Sequence, residues 1–267
     1  MLAFGYTLFG NYKDPCNDQT MTRRDALSIA AATQPAEILR NQAADRSMST
    51  LFSVSLAAHD VACDRGGRRL FEGLSFSLEP GDALLVQGPN GTGKTSLMRQ
   101  IAGLLPLAAG EIAAAGAEAD TPAAELCHYV GHLNGLKASL SVRENLAFWM
   151  DYLRGDFESG DVDFALDVFG LTPIADIAAG FLSAGQKRKL ALSRLFACPR
   201  PIWLLDEPSV SLDTASVARL AKAIEAHGQA GGIAIVSTHV PLGGAFTHTL
   251  DLQCLDPGEA PDQEPAS

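Results

Sequence analysis

The chain has 267 residues, room for one large or two small domains, and 47% of them are hydrophobic, enough to bury a sizeable core. Acids outnumber lysines and arginines by 31 to 20, and the resulting charge of −11 repels phosphate backbones and anionic headgroups, which argues against a nucleic-acid partner. No charge-free apolar run of about 18 residues occurs, so no membrane span is expected, and the five scattered cysteines, never spaced C-x-x-C, fit reduced thiols in a cytosolic compartment better than disulfides or a zinc site.

Residues 1–47 read as a disordered or spurious extension, with Met48 as the start of the folded unit. Their segment "MTRRDALSIAAATQPA" has two arginines before a short, weakly apolar stretch, too short and too early interrupted by an aspartate for an export signal. From Leu51, "LFSVSLAAHDVAC" and "LFEGLSFSL" alternate as antiparallel strands do, with turns at Gly66-Gly67 and Pro80-Gly81. A helix is expected from about Lys94 to Leu104, a strand near "GEIAAAG", and an apolar stretch at "LCHYVG". Further helices are predicted over 142–153, 161–169 and 184–197, the last two joined by segment 170–180. "PIWLLD" and "GGIAIVST" are nearly all apolar, as buried parallel strands are, and a helix from Thr214 to His227 joins them. The proline-rich, acidic tail 256–267 reads as disordered.

The stretch "GPNGTGKTS" places Gly88, Gly93, Lys94 and Thr95 in the spacing G-x-x-x-x-G-K-[ST], after a buried strand and before a helix. Glycines let the backbone curl so that N–H groups from Gly88, Asn90, Gly91, Thr92, Gly93 and Ser96 surround a phosphate, with Pro89 shaping the turn, and the helix start adds positive potential. Lys94 is expected to reach the β- and γ-phosphates of ATP, and the Thr95 hydroxyl to ligate Mg²⁺. A chain of this length matches the spacing by chance about once in a hundred. Asp206, ending the strand "IWLLD", is expected to hold the same Mg²⁺, and Glu207, one residue on, to orient or deprotonate the attacking water. In "LSAGQ", Ser183 reads as the N-cap of a second helix whose start faces a phosphate.

The order phosphate loop, "LSAGQ", "LLDEP", "SLD", "STH" resembles the ATP-binding cassette ATPases over residues 51 to about 253. The resemblance implies an α/β P-loop NTPase fold with a mixed β core, an antiparallel β subdomain and an α-helical subdomain at about 132–198, the whole cassette spanning 48–255. It also implies a homodimer, in which Leu182, Ser183, Ala184, Gly185 and Gln186 of one copy close on the ATP of the other. Glu207 is then the catalytic carboxylate, His239 the switch histidine on the γ-phosphate, and Ser211, Leu212 and Asp213 the loop through which the copies communicate. His132 occupies the position where cassettes usually have glutamine, and Arg65 falls where an aromatic ring usually stacks on adenine.

Both departures, the alanine in "LSAGQ" and the strings "CDRGGRRLF", "GHLNGLK" and "GGIAIVSTHVPL" resemble the haem exporter ATP-binding subunits of the bacterial cytochrome c maturation system. That likeness implies a peripheral ATPase on the cytoplasmic face of the inner membrane, docked under a permease and haem-handling subunits. The apolar, Lys137-bearing loop after His132 suggests the surface from Leu133 to Arg143 for the docking, the alternative being that Leu136 and Leu140 only fill the core. It implies no direct haem ligation, since no C-x-x-C-H occurs. The alternative is the ATPase subunit of another exporter, for lipid, drug or metal.

Overall fold

The computed structural model describes residues 52–117, 121–153, 162–239, 242 and 246–254. The expected extension 1–47 and tail 256–267 lie outside the described residues. Strands β1 (Ser55–Arg65), β2 (Arg68–Leu78) and β4 (Ala109–Ala115) form an antiparallel sheet in the order β2-β1-β4, with β1 and β2 joined at Gly66-Gly67. Strands β3 (Ala83–Gln87), β5 (Cys127–Val130), β6 (Ile202–Asp206), β7 (Ile233–Ser237) and β8 (His248–Asp251) form a second sheet in the order β5-β6-β7-β3-β8, parallel at every pairing. Among the described residues the parallel sheet carries the core, and the antiparallel sheet is the expected β subdomain. The helices are α1 (Lys94–Ile101), α2 (Val142–Tyr152), α3 (Val162–Val168), α4 (Ala184–Ala197) and α5 (Thr214–Gln229).

The continuous apolar runs of β6 and β7 are explained by burial of both faces. Successive side chains of a strand point to opposite faces. Ile202 and Leu204 of β6, with Ile233 and Ile235 of β7, pack toward α1 and the antiparallel sheet. Trp203 and Leu205, with Ala234 and Val236, pack against the helices α2 to α5. The parallel sheet thus divides two apolar layers, and a one-residue register slip would exchange them. The predicted helices are all present, α1 ending at Ile101 rather than Leu104. The short, largely exposed β8 has no sequence pattern and was not anticipated.

Two histidines sit inside this core. His128 on β5 bonds the Arg194 carbonyl at 2.9 Å, and His227 on α5 stacks on Trp203 at 3.9 Å between ring centres and bonds the Pro201 carbonyl at 3.2 Å. Burial pushes both down from the ordinary 6.5 to about 3. Between pH 6.5 and about 3 the unfolded chain therefore binds more protons than the folded one, so stability falls as pH drops through that window. Each histidine contributes a loss of about 1.4 kcal/mol per pH unit. Urea unfolding is expected to show a lower midpoint at pH 5 than at pH 6.5, with a slope roughly halved in His227→Gln; equal midpoints would contradict the burial argument.

Candidate functional site

Parallel strands bring their C-terminal ends to one edge, and that edge carries the loops after β3, β5, β6 and β7. The register sets Ser237 level with both Val86 and Asp206, so β7 places a hydroxyl between the phosphate loop and the carboxylate at the end of β6. Ser237 Oγ donates to Asp206 Oδ1 at 2.7 Å, and Thr95 Oγ1 donates to Oδ2 at 2.8 Å. Asp206 is 2% exposed, so both oxygens are fixed by partners rather than by water.

The loop from Gly88 to Ser96 has φ of +131°, +91° and +106° at Gly88, Gly91 and Gly93. A Cβ at Gly93 would meet the Phe71 ring at 2.9 Å, so the close passage of loop over β2 admits no side chain there. Lys94 Nζ donates to the carbonyls of Gly88 at 2.6 Å and Pro89 at 2.9 Å, closing the loop and leaving the ammonium a third N–H for a ligand. The N-termini of the helices differ in a telling way. Ser141, Ser183 and Asp213 cap α2, α4 and α5 with side-chain oxygens, whereas α1 begins at Gly93 with no side-chain cap and no acid in its first turn. Its first N–H groups are open to an anion, which fits a phosphate.

Thr95, Asp206 and Glu207 line a cavity of about 390 Å³ together with Lys94, Asn90 and Arg65. Two oxygen ligands beside a phosphate cradle fit Mg²⁺, which takes few protein ligands and completes its shell with phosphate oxygens and water; among the described residues no three-residue His, Cys, Asp and Glu cluster suggests a tighter protein-only site. Arg65 lines the same cavity. A larger cavity of about 530 Å³, lined by Asp82, Ile224, Glu225 and Phe246 among others, opens at the opposite edge of the sheet and holds none of the expected residues.

Glu207 follows β6 with a left-handed φ of +48°, rare for a residue with a side chain. Its amide donates to the Ser237 carbonyl at 3.0 Å, and its Oε2 accepts from the His239 amide at 3.3 Å. The His239 Nε2 lies 3.2 Å from Glu207 Oε1, but Nε2 bonds Asn90 Oδ1 at 3.1 Å; Oε1 itself is buried without a hydrogen-bond partner among the described residues. The directional bond to Asn90 is the better account of Nε2, and it leaves Oε1, 3.2 Å from that nitrogen, with unused acceptor capacity. His239 thereby touches both Glu207 and the loop.

The remaining expected residues fall into a second group. Ser183 Oγ accepts from the Gln186 amide at 3.2 Å and Gln186 Oε1 accepts from the Ser183 amide at 2.9 Å, a reciprocal cap that still leaves the Ser183 O–H free to donate. Leu182 is buried in the core, and Ala184 and Gly185 open α4. A Cβ on Gly185 would meet the Ser211 carbonyl at 2.7 Å, so the start of α4 lies against the 211–213 loop. Ser211 has φ of +65°, Leu212 packs on the core, and Asp213 caps α5 while binding Lys189 Nζ at 2.6 Å. The Lys189 bond holds the Asp213 carboxyl well below the usual range. His132 is exposed just past β5, beside Gly131. Of the expected docking surface, Leu133 is 80% exposed whereas Leu136 packs against the core.

The ABC transporter family model matches residues 71–210. A cytochrome c biogenesis ATP-binding export protein CcmA of Chelativorans sp. is 48% identical over 198 residues, covering 74% of this chain and 97% of that protein. The CcmA of Rhodospirillum rubrum is 50% identical over 209 residues, covering 76% and 89%. The chain belongs to the CcmA family of ATP-binding cassette ATPases. An ABC transporter ATP-binding protein of Pyrococcus furiosus, 22% identical, superposes with a TM-score of 0.64 over 75% of this chain and 98% of that one, and supports the fold alone. As a CcmA-family cassette the chain binds nucleotide and hydrolyses ATP.

Two side chains of this CcmA-family site escape a reading by motif. Ser237 is an ordinary strand-end serine until the β6–β7 register is known. Arg188 is buried at 4% exposure on α4, and its sequence signal is a cation on an apolar stripe with Ala191, Leu192 and Leu195 at helical spacing.

Proposed function

We propose that this chain is the ATP-hydrolysing subunit of a membrane exporter serving cytochrome c biogenesis, with haem, or a haem-loaded chaperone, as what is moved or released. The cassette is taken as residues 48–255, its helical subdomain as about 132–198. The observation that carries the reading is the convergence of Lys94, Thr95, Asp206 and Glu207 on one cavity at the uncapped start of α1. The relatives' names, which join cytochrome c biogenesis to ATP-binding export, support the cellular role.

In this reading the loop amides and Lys94 bind and orient the β- and γ-phosphates, and Arg65 lays its guanidinium on the base. Thr95 and Asp206 hold Mg²⁺, which when bound neutralises phosphate charge. Glu207 accepts the proton of the attacking water, and His239 spans Glu207 and the γ-phosphate side of the loop. Ser183 through its O–H, the Gly185 N–H and Gln186 complete the site from a second copy, so the working unit is a homodimer closed by ATP and reopened by hydrolysis. The chain sits peripherally at the cytoplasmic face of the inner membrane against an integral permease, and the exposure of Leu133 supports a contact there. No helix among the described residues is long and apolar enough to cross a membrane.

Purifying the membrane assembly through a tag on this chain tests the cellular role. Recovery of a permease together with haem-handling subunits is the expected result. Recovery of a lipid, drug or metal exporter's membrane subunits instead would overturn it.

A further inference from the structure

Arg188 is 4% exposed and its guanidinium bonds five acceptors. It leaves the second turn of α4, the helix that begins at Ser183, and reaches under the sheet edge that carries the hydrolytic carboxylate. Nη2 donates to the carbonyls of Asp206 and Glu207, both at 2.8 Å, and Nε to that of Pro208 at 3.1 Å. Nη1 donates to the carbonyl of Gly131 at 2.7 Å and to Asn134 Oδ1 at 3.3 Å. One planar fork therefore holds three consecutive peptides at the end of β6 and also the chain leaving β5, next to His132.

Burying a guanidinium is costly, and its partners here are carbonyl and amide oxygens rather than a carboxylate. Burial also pulls its pKa below the ordinary arginine value. A methionine would fill the same volume without that cost. What the guanidinium supplies that a methionine lacks is a set of donors in fixed directions. The peptide they hold is the left-handed one at Glu207, φ +48°, whose conformation must be imposed by its surroundings.

We propose that Arg188 is a positioning residue for ATP hydrolysis: it ties α4, the helix capped by Ser183, to the Glu207 peptide, so that the carboxylate is aligned by the seating of α4. The role rests on Glu207 being the hydrolytic carboxylate. Because the same fork holds Gly131, a movement of the segment after β5 is felt at Glu207 through one side chain. Lys189, the next residue, points instead to Asp213 at the surface, so the two neighbouring cations have separate tasks.

The test compares wild type, Arg188→Met, Arg188→Lys and Glu207→Gln in the full chain with its co-purifying subunits, measuring kcat and KM for ATP, equilibrium ATP binding and the melting temperature. Arg188→Met is expected to lower kcat by about 10²-fold, the scale of a small misplacement of a reacting group, with ATP binding changed by less than about threefold. Arg188→Lys, a point charge with no fork, is expected to recover only part of kcat. A folded Arg188→Met at wild-type kcat overturns the proposal, as does a kcat loss matched by an equal loss of ATP binding. Failure of both Arg188 variants to fold also overturns it, because the residue is then a structural support alone. If Glu207→Gln hydrolyses ATP normally, the assignment of the carboxylate fails, a result distinct from any of the Arg188 outcomes.

Discussion

Glu207→Gln is expected to lower kcat for ATP hydrolysis by about 10²- to 10⁴-fold, the usual contribution of a positioned proton acceptor. Glutamine has the same shape, so its carbonyl oxygen can keep the contact with the His239 amide and its main chain can keep the left-handed turn. What is lost is the basicity of a carboxylate that lines the phosphate-loop cavity. Lys94, Thr95 and the α1 start are untouched, so ATP affinity should stay within about threefold. Phosphate release in steady state and equilibrium nucleotide binding separate these two quantities. Hydrolysis at the wild-type rate would remove Glu207 from the mechanism.

Lys94→Ala is expected to fail one step earlier, at binding. Lys94 is 8% exposed and its ammonium ties the Gly88 and Pro89 carbonyls together, so its loss opens the loop and removes the only side-chain cation that the loop from Gly88 to Ser96 contributes. A charge-assisted bond of about 3 kcal/mol corresponds to ATP binding weakened by about 10²-fold. Charge stabilisation in the transition state adds to this, so kcat/KM should fall by about 10³-fold or more. The melting temperature should change little, since the side chain touches loop carbonyls and not either apolar layer. Undiminished ATP binding in a folded Lys94→Ala chain would contradict the site.

The contrast between the two variants follows from how the site is assembled, and so does what could be read before the structure was known. Gly88 to Ser96 is contiguous, and a phosphate needs that spacing whatever the rest of the chain does. Asp206 and Glu207 were legible because they end a run too apolar to be anything but a buried strand. The alternation within β1 and β2 and the helical spacing of α4 were legible for the same local reason. Ser237 was not, because its bond to Asp206 is made by the register of two strands 31 residues apart. Nor was the pairing of His239 with Asn90, 149 residues away. Arg188 was hidden more deeply: four of its five acceptors are main-chain carbonyls, which every residue type carries alike. Leu133 and Leu136 look alike in sequence, and only packing separates the exposed side chain from the one turned to the core.

Each copy carries one lysine loop and one serine-capped start to α4, and the account requires the two to meet across a pair of copies. The most direct measurement is the structure of the Glu207→Gln chain with ATP and Mg²⁺ in its membrane assembly. The account predicts two nucleotides, each bound by Lys94 and Thr95 of one protomer and by Ser183 of its partner. Two nucleotides each contacted by a single protomer, with Ser183 facing solvent, would contradict it.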